Sequence, residues 1–208
     1  MNALTALLEI AGEPLAAGDV AGEADNPLAQ EHLDLIAQRN GFAAYENSLI
    51  VRPVGGPLDV VAWNSAGGWR EGYAELGAGL FFFAEDAFGR QFGLDGHHVV
   101  AFDPETGERT EIAHSIEEWA KLMQSDHGIM TGHPLVAEWS AKYGELALGT
   151  KLLPRVPLIA GGRFEVANLV QVTDHVRMHY GGMLARHIAN LGDGATFTLP
   201  YQPPTPAF

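Results

Sequence analysis

In residues 79–113, short apolar runs alternate with residues that are typical of tight turns. Residues 79–84 form an aromatic run of strand length, and residues 90–94 alternate polar and apolar side chains as a half-buried strand does. Asp95-Gly96 is a strong hairpin signal before the next run at 97–102. Asp103 to Glu108 then fits a turn, which leads into a strand at 108–113. This pattern predicts an antiparallel β-meander.

Helix signals flank the meander on both sides. Asn26-Pro27 supplies an N-cap residue and a first helical residue for a helix that Gly41 can end. Ser115 and Glu118 form a capping box that opens a helix at 116–127. We therefore expect an α+β fold, with a mostly antiparallel sheet packed by helices.

The last part of the chain, residues 128–208, has a different character. Pro154 and Pro157 interrupt its apolar strand, Gly181-Gly182 weakens its long helix, and a proline-rich tail at 200–208 is expected to be loosely held. We predict a first domain at 1–127 and a C-terminal α/β extension at 128–208 packed on it, with one continuous domain as the alternative. The predicted elements of the extension are a helix at 133–143, a strand at 152–159, a helix at 174–191 and a final strand at 195–199.

Charge is unevenly distributed along the 208 residues, whose formal net charge is −14. Residues 1–126 carry 21 acidic and 6 basic side chains, a net of −15, and residues 127–208 carry 5 and 6, a net of +1. Such a front half repels nucleic acid and anionic membranes and attracts cationic partners, although acidity can also serve solubility alone. We expect neither nucleic acid nor membrane as a partner, and a monomer or weak homodimer. The absence of cysteine and of a signal-peptide start favours a cytoplasmic protein.

The candidate catalytic and metal-binding residues are few. Glu85-Asp86 and His97-His98 are adjacent pairs, and adjacent side chains on a strand point to opposite faces. His175 and His179 share a helix face, but no zinc-protease glutamate lies between them and no third ligand is evident. No serine lies in a nucleophile elbow, and neither a phosphate-binding loop nor a dinucleotide motif is present. We expect no catalytic residue, no metal and no cofactor, and keep as an alternative a metal-dependent hydrolase that uses His175 and His179.

Three segments together resemble the SUKH superfamily, in its Smi/Knr-like branch. They are "RNGFAAYENSLIVRPV", "GLFFFAEDAFGRQFGL" and "VVAFDPETGERTEIAHSIEEWAKLM", and the resemblance spans residues 28–125. Residues 140–191, with "YGELALGTKLLPRVPLIAGG", are faintly similar to a C-terminal domain of some type VI secretion immunity proteins. The resemblance implies helices packed on a mostly antiparallel sheet. It also implies a protein that binds other proteins, as bacterial members neutralise toxins and fungal members regulate cell-wall synthesis. It supplies no catalytic residues.

The leading hypothesis is therefore a non-catalytic protein-binding module, an immunity protein that neutralises a cationic toxin domain. A regulatory scaffold without a toxin partner is the alternative. Connections of the meander should place acidic side chains near solvent, where they can contact the partner. The predicted contact residues are Glu85, Asp86, Asp95, Asp103, Glu105 and Glu108.

Overall fold

A computed structural model describes residues 2–191, 194–200 and 202 of the chain. Its helices are α1 (Ala3–Ile10), α2 (Pro27–Gln38), α3 (Val60–Trp63), α4 (Trp69–Tyr73), α5 (Ile116–Ser125), α6 (His127–Thr131), α7 (His133–Tyr143) and α8 (Asp174–Ile188). Its strands are β1 (Phe42–Ala44), β2 (Leu49–Val51), β3 (Phe81–Asp86), β4 (Gln91–Leu94), β5 (Val99–Phe102), β6 (Arg109–Ala113), β7 (Thr150–Pro154) and β8 (Leu169–Thr173). Short 3₁₀ turns cover Ala74–Gly77, Leu158–Ala160 and Val166–Asn168.

The main sheet has six antiparallel strands in the order of the chain, β1 to β6. The expected α+β fold with an antiparallel meander is confirmed. In such a meander, successive connections lie at alternating ends of the sheet. The β3–β4 and β5–β6 connections are therefore neighbours at one end, and the β4–β5 turn at Asp95 lies at the other end.

Both faces of the main sheet are buried, which explains why β3 begins as a continuous aromatic run. Phe83 packs with Trp119 of α5 on the face that is also covered by α1 and α2. Phe82 packs with Phe102 and Trp69 on the opposite face, beneath α4 and α8. Burying a side chain of this size contributes roughly 1.5–3 kcal/mol, so each face has a substantial core.

The C-terminal range forms a second, two-stranded antiparallel sheet of β7 and β8. Its apolar core also includes Ala87 and Phe88 from the β3–β4 connection, and the Leu152 amide donates to the Ala87 carbonyl at 2.8 Å. Residues from 1–127 and from 128–208 therefore share this third core. No helix among the described residues has the length and apolar content needed to cross a bilayer.

Local capping signals locate several elements correctly. The Asn26 side chain accepts from the Ala29 amide and opens α2, and the Ser115 side chain accepts from the Glu118 amide and opens α5. Gly107, in the predicted turn from Asp103 to Glu108, has a positive φ of 72°, as such turns require. These positions depend on a few consecutive residues, which is why the sequence alone identifies them.

Other element boundaries were predicted wrongly. Strand β3 continues through Glu85 and Asp86, although the sequence pattern predicts a connection there, and His97-His98 lie in the turn before β5 and not on the strand. Strand β7 ends at Pro154 and does not extend to 159. Its prolines lie at the end of, and just after, a strand that forms an edge of the two-stranded sheet. The helix at 116–127 ends at Ser125, and residues 195–199 have no regular structure. Most of the tail at 200–208 lies outside the described residues.

Gly181 and Gly182 do not interrupt α8, and they let it pack closely on its neighbours. The helix is continuous through both residues, and both are buried. A Cβ on Gly182 would lie 2.5 Å from the Gly72 carbonyl carbon of α4, and one on Gly181 would lie 2.2 Å from the Pro104 carbonyl oxygen. Glycine is needed here because the helix touches backbone that cannot move aside.

We expect Gly182→Ala to lower the free energy of unfolding by about 1–3 kcal/mol, the usual cost of overpacking. Helix propensity alone would give the opposite sign, because alanine is favoured over glycine by about 1 kcal/mol. Gly128→Ala in α6 is the matched control, since its Cβ would meet only Pro134 at 3.5 Å. Chemical denaturation of both variants measures the difference. A Gly182→Ala protein as stable as the wild type would show that α4 and α8 are not in close contact.

Candidate functional site

The six acidic residues predicted to contact a partner do not form one surface. Asp95 and Glu108 are exposed and Asp103 is half-buried, but they lie at opposite ends of the meander. The predicted exposure is wrong for the other three: Glu85 is 1% exposed, Asp86 3% and Glu105 7%. Each of these buried carboxylates instead binds groups inside the protein.

Glu85 belongs to a buried ion network that joins the two sheets. Its Oε1 lies 2.8 Å from Arg52 Nη2 and 3.0 Å from Lys151 Nζ. Arg52 Nη2 also lies 2.7 Å from Asp174 Oδ2, at the first residue of α8. Burial alone would raise the pKa of Glu85, but the charges of Arg52 and Lys151 lower it to about 2. Two cations and two anions therefore balance within this network.

Polar and aromatic side chains complete the surroundings of the network. Gln91 Nε2 donates to Glu85 Oε2 at 3.0 Å, and Gln91 Oε1 accepts from Trp63 Nε1 at 2.8 Å. The Arg52 guanidinium carbon lies 3.5 Å above the Trp63 ring, in cation–π contact. The role that this geometry supports is structural, because the charged groups are buried and already bind one another.

Asp86 and Glu105 each hold a loop in place. The Asp86 carboxylate accepts from the Phe88 and Arg90 amides, both at 2.8 Å, and so fixes the β3–β4 connection. Burial raises its pKa, against the opposing effects of Arg90 and these hydrogen bonds. Glu105 accepts from the Leu158 and Ile159 amides at 3.1 and 2.9 Å. The β5–β6 turn is thereby fastened to the C-terminal 3₁₀ turn Leu158–Ala160.

Asp103 caps the β5–β6 turn. Its Oδ1 accepts from the amides of Glu105 at 2.8 Å and Thr106 at 2.9 Å. The predicted turn is therefore held by side-chain capping as well as by the positive φ of Gly107.

An apolar groove of about 460 Å³ lies between these fastened loops. Large apolar side chains remain exposed around it: Ile129 is 77% exposed, and Ile159 and Phe164 are each 51% exposed. Phe88 and Phe164 stand against each other, with ring centroids 4.7 Å apart. The charged groups that line the groove are Asp86, Arg90, Asp103, Glu105 and Arg177.

The groove is not predicted from the sequence. The sequence pattern places Leu158 and Ile159 in a strand, where they would be buried, but both are exposed on a loop beside the groove. The available signal was composition: Gly161-Gly162 and two prolines surround these residues, which is typical of a loop. Apolar side chains on a loop are candidates for exposure.

The histidine pairs occupy different settings. His175 and His179 are exposed and line a surface depression with Trp69 and Tyr180. Within the described part of the chain, they belong to no group of three converging metal-ligating side chains. His97 and His98 lie at the β4–β5 turn, where Asp95 Oδ1 accepts from both of their amides. These hydrogen bonds lower the pKa of Asp95, although its partial burial acts in the opposite direction.

The fold resembles that of a solved protein at low sequence identity. The crystal structure of Atu4351 from Agrobacterium tumefaciens matches with a TM-score of 0.55 and 16% identity, over 85% of this chain and 86% of that chain. No protein-family model and no curated protein matches the sequence. At this identity the likeness concerns the fold alone, since one fold hosts many functions.

Glu85→Gln should destabilise the protein by about 3–5 kcal/mol, because it leaves an uncompensated buried cation. Adding Lys151→Met removes that cation and leaves Arg52 paired with Asp174. The double variant should therefore be more stable than the Glu85→Gln single variant, as urea titration can measure. Lys142→Met, which removes an exposed lysine, is the control in the same background. Equal rescue by both lysine substitutions would contradict a specific buried network.

A second prediction concerns His32, which is buried beside Phe81 and Phe83; its Nε2 has no hydrogen-bond partner in the described part of the chain. Burial lowers its pKa from 6.5 to about 4, so the unfolded chain binds the proton first as the pH falls. The stability that depends on neutral His32 is complete above pH 6.5 and is lost between about pH 6.5 and 4, by roughly 3 kcal/mol.

Unfolding free energies measured across this pH range test the prediction. A His32→Leu variant should lose this part of the pH dependence, while a variant of an exposed histidine, His97→Gln, should keep it. Carboxylates contribute equally to all three proteins, so the comparison isolates the buried imidazole. Parallel curves for the wild type and His32→Leu would show that His32 is not buried in its neutral form.

Proposed function

We propose that this protein is a non-catalytic protein-binding module, an immunity protein that binds a toxin domain and neutralises it. The observation that carries the proposal is the apolar groove between the meander connections and the Leu158–Ala160 turn. Exposed apolar patches of this kind commonly mark protein-interaction sites. The resemblance to the SUKH superfamily supports the same class of function.

The groove has the anatomy of an interface centre. Ile129, Ile159 and Phe164 offer exposed apolar surface at its mouth, and Phe88 forms part of its wall. A cavity of about 460 Å³ can take one or two large side chains from a partner. Anchors that fill such pockets supply most of the binding energy of many interfaces.

The charge of the protein favours a cationic partner. The net charge of −15 in residues 1–126 creates a negative field that speeds encounter with a basic protein. Glu108 is exposed on the turn beside the groove, and the half-buried Asp103 lines the groove. In this proposal the field draws the toxin in and apolar contacts hold it, within the cytoplasm, where the toxin would act.

The alternatives have less support. A regulatory scaffold could use the same groove, and only the identity of the partner separates it from an immunity protein. The hydrolase alternative depends on His175 and His179, which are exposed and have no third ligand beside them among the described residues. We therefore do not propose catalysis.

The test uses toxin domains encoded next to this gene, co-expressed with the protein in bacteria and titrated against it after purification. Wild-type protein should restore growth and bind the cognate domain. Ile159→Asp and Phe164→Asp place a charge in the groove and should weaken binding by at least about tenfold, or 1.4 kcal/mol. Val61→Asp is the matched control, because Val61 is 63% exposed on α3 and does not line the groove.

The outcomes separate the proposals. Loss of rescue and affinity in the groove variants alone supports toxin neutralisation through the groove. Full binding by those variants would place the interface elsewhere. Failure of every neighbouring toxin domain to bind would overturn the immunity function and favour the scaffold.

A further inference from the structure

We propose that Asp95, His98 and Glu111 form a Zn²⁺ site at the end of the meander opposite the groove. Among the described residues, these are the only three metal-ligating side chains whose ligand atoms converge, all lying within 4.8 Å of one another. The proposal does not depend on the function proposed above, since none of the three lines the groove.

The distances are close to those that a metal ion requires. His98 Nδ1 lies 3.5 Å from Asp95 Oδ2 and 3.7 Å from Glu111 Oε1. Tetrahedral zinc with bonds of about 2.0–2.1 Å holds its ligand atoms about 3.4 Å apart. Small side-chain rotations would therefore bring the three atoms to bonding distance.

Backbone geometry holds two of the ligands ready. Asp95 Oδ1 accepts from the amides of His97 at 2.8 Å and His98 at 2.7 Å, which leaves Oδ2 beside the His98 ring. In the β5–β6 pairing, Val99 lies opposite Ala113 but Val100 lies opposite Glu111, so Ile112 is an extra residue. Such bulges redirect neighbouring side chains, and this one accompanies the approach of Glu111 to His98.

The chemistry of the group favours a transition metal. Among the described residues, neither Asp95 nor Glu111 forms an ion pair with lysine or arginine, so two carboxylates face a single imidazole. Nitrogen and carboxylate oxygen together suit Zn²⁺, whereas Mg²⁺ and Ca²⁺ prefer oxygen alone. His114 packs edge-on against His98, with ring centroids 5.2 Å apart, and is not one of the three converging ligands.

Asp95 and Glu111 are exposed, so we expect an exchangeable ion that chelators remove. Bound Zn²⁺ would tie the β4–β5 turn to β6 and offset part of the negative charge at this end. The ligand histidine must be neutral, so binding should weaken as the pH falls.

The experiment is calorimetric titration of the chelator-treated full chain with ZnCl₂ at pH 7.5 and pH 5.5. We expect one saturable site per chain at pH 7.5 and weaker binding at pH 5.5. His98→Ala and Glu111→Gln should each weaken binding by at least about tenfold. Glu111→Gln preserves the shape of the side chain, which keeps the test valid if His98→Ala disturbs the turn.

Two controls address other histidines. His97→Ala removes a neighbouring imidazole outside the group, and a His175→Ala and His179→Ala double variant removes the helical pair; both should bind Zn²⁺ as the wild type does. Zn²⁺ should raise the melting temperature, and EDTA should reverse the increase, only in those proteins that still bind Zn²⁺. No saturable binding, or binding that depends on His175 and His179 and not on His98, would overturn the proposal.

Discussion

The buried pairing of Glu85 with Arg52 and Lys151 is the interaction on which the arrangement of the two sheets depends. Arg52 follows β2, Glu85 lies on β3, and Lys151 lies on β7 of the second sheet. Each charge loses its hydration on folding, so each requires its partner at hydrogen-bond distance. Apolar contacts alone would allow the two sheets to shift relative to each other. The ion network allows little shift, because its charged groups must stay at hydrogen-bond distance. Asp174 adds the start of α8 to the same constraint, and α8 in turn packs through Gly181 and Gly182 against α4 and the β5–β6 turn.

The position of the groove follows from this constraint. The network holds the C-terminal range beside the β3–β4 connection, and the carboxylates of Asp86 and Glu105 fasten the adjoining loops through backbone amides. Carboxylates that bind backbone amides are buried and cannot readily contact a partner. They nevertheless fix the positions of the loops that carry exposed side chains such as Ile159. Some acidic side chains of residues 1–126 are therefore buried and position the surface loops. Only the exposed acidic side chains can attract a partner at long range.

Local signals made the meander and its capped helices predictable from the sequence. The caps at Asn26 and Ser115 and the turn at Gly107 each depend on a few neighbouring residues. The burial of Glu85 could not be predicted in the same way, because its charged partners lie on distant parts of the chain. Arg52 is 33 residues away, and Lys151 lies on β7 of the second sheet. An acidic pair between two strands is typical of a turn, and only tertiary contacts reveal it as strand. The groove was missed for a related reason: a loop that carries apolar residues has no periodicity that would distinguish it from a strand interrupted by proline.

The antiparallel order of the strands also places the groove and the proposed metal site at opposite ends of the sheet. Because successive connections alternate between the ends of the sheet, Asp103 and Glu108 stand beside the groove, while Asp95 stands with His98 and Glu111 at the far end. A partner held in the groove would leave the far end uncovered, and an ion at the far end would leave the groove unchanged in shape. The two ends can still influence each other through the electrostatic field, which at physiological ionic strength decays over about 8 Å. Strands of four and five residues, such as β5 and β6, span more than this distance at about 3.3 Å per residue. Screening over that length separates the proposed partner site at the groove from the proposed metal site at the far end.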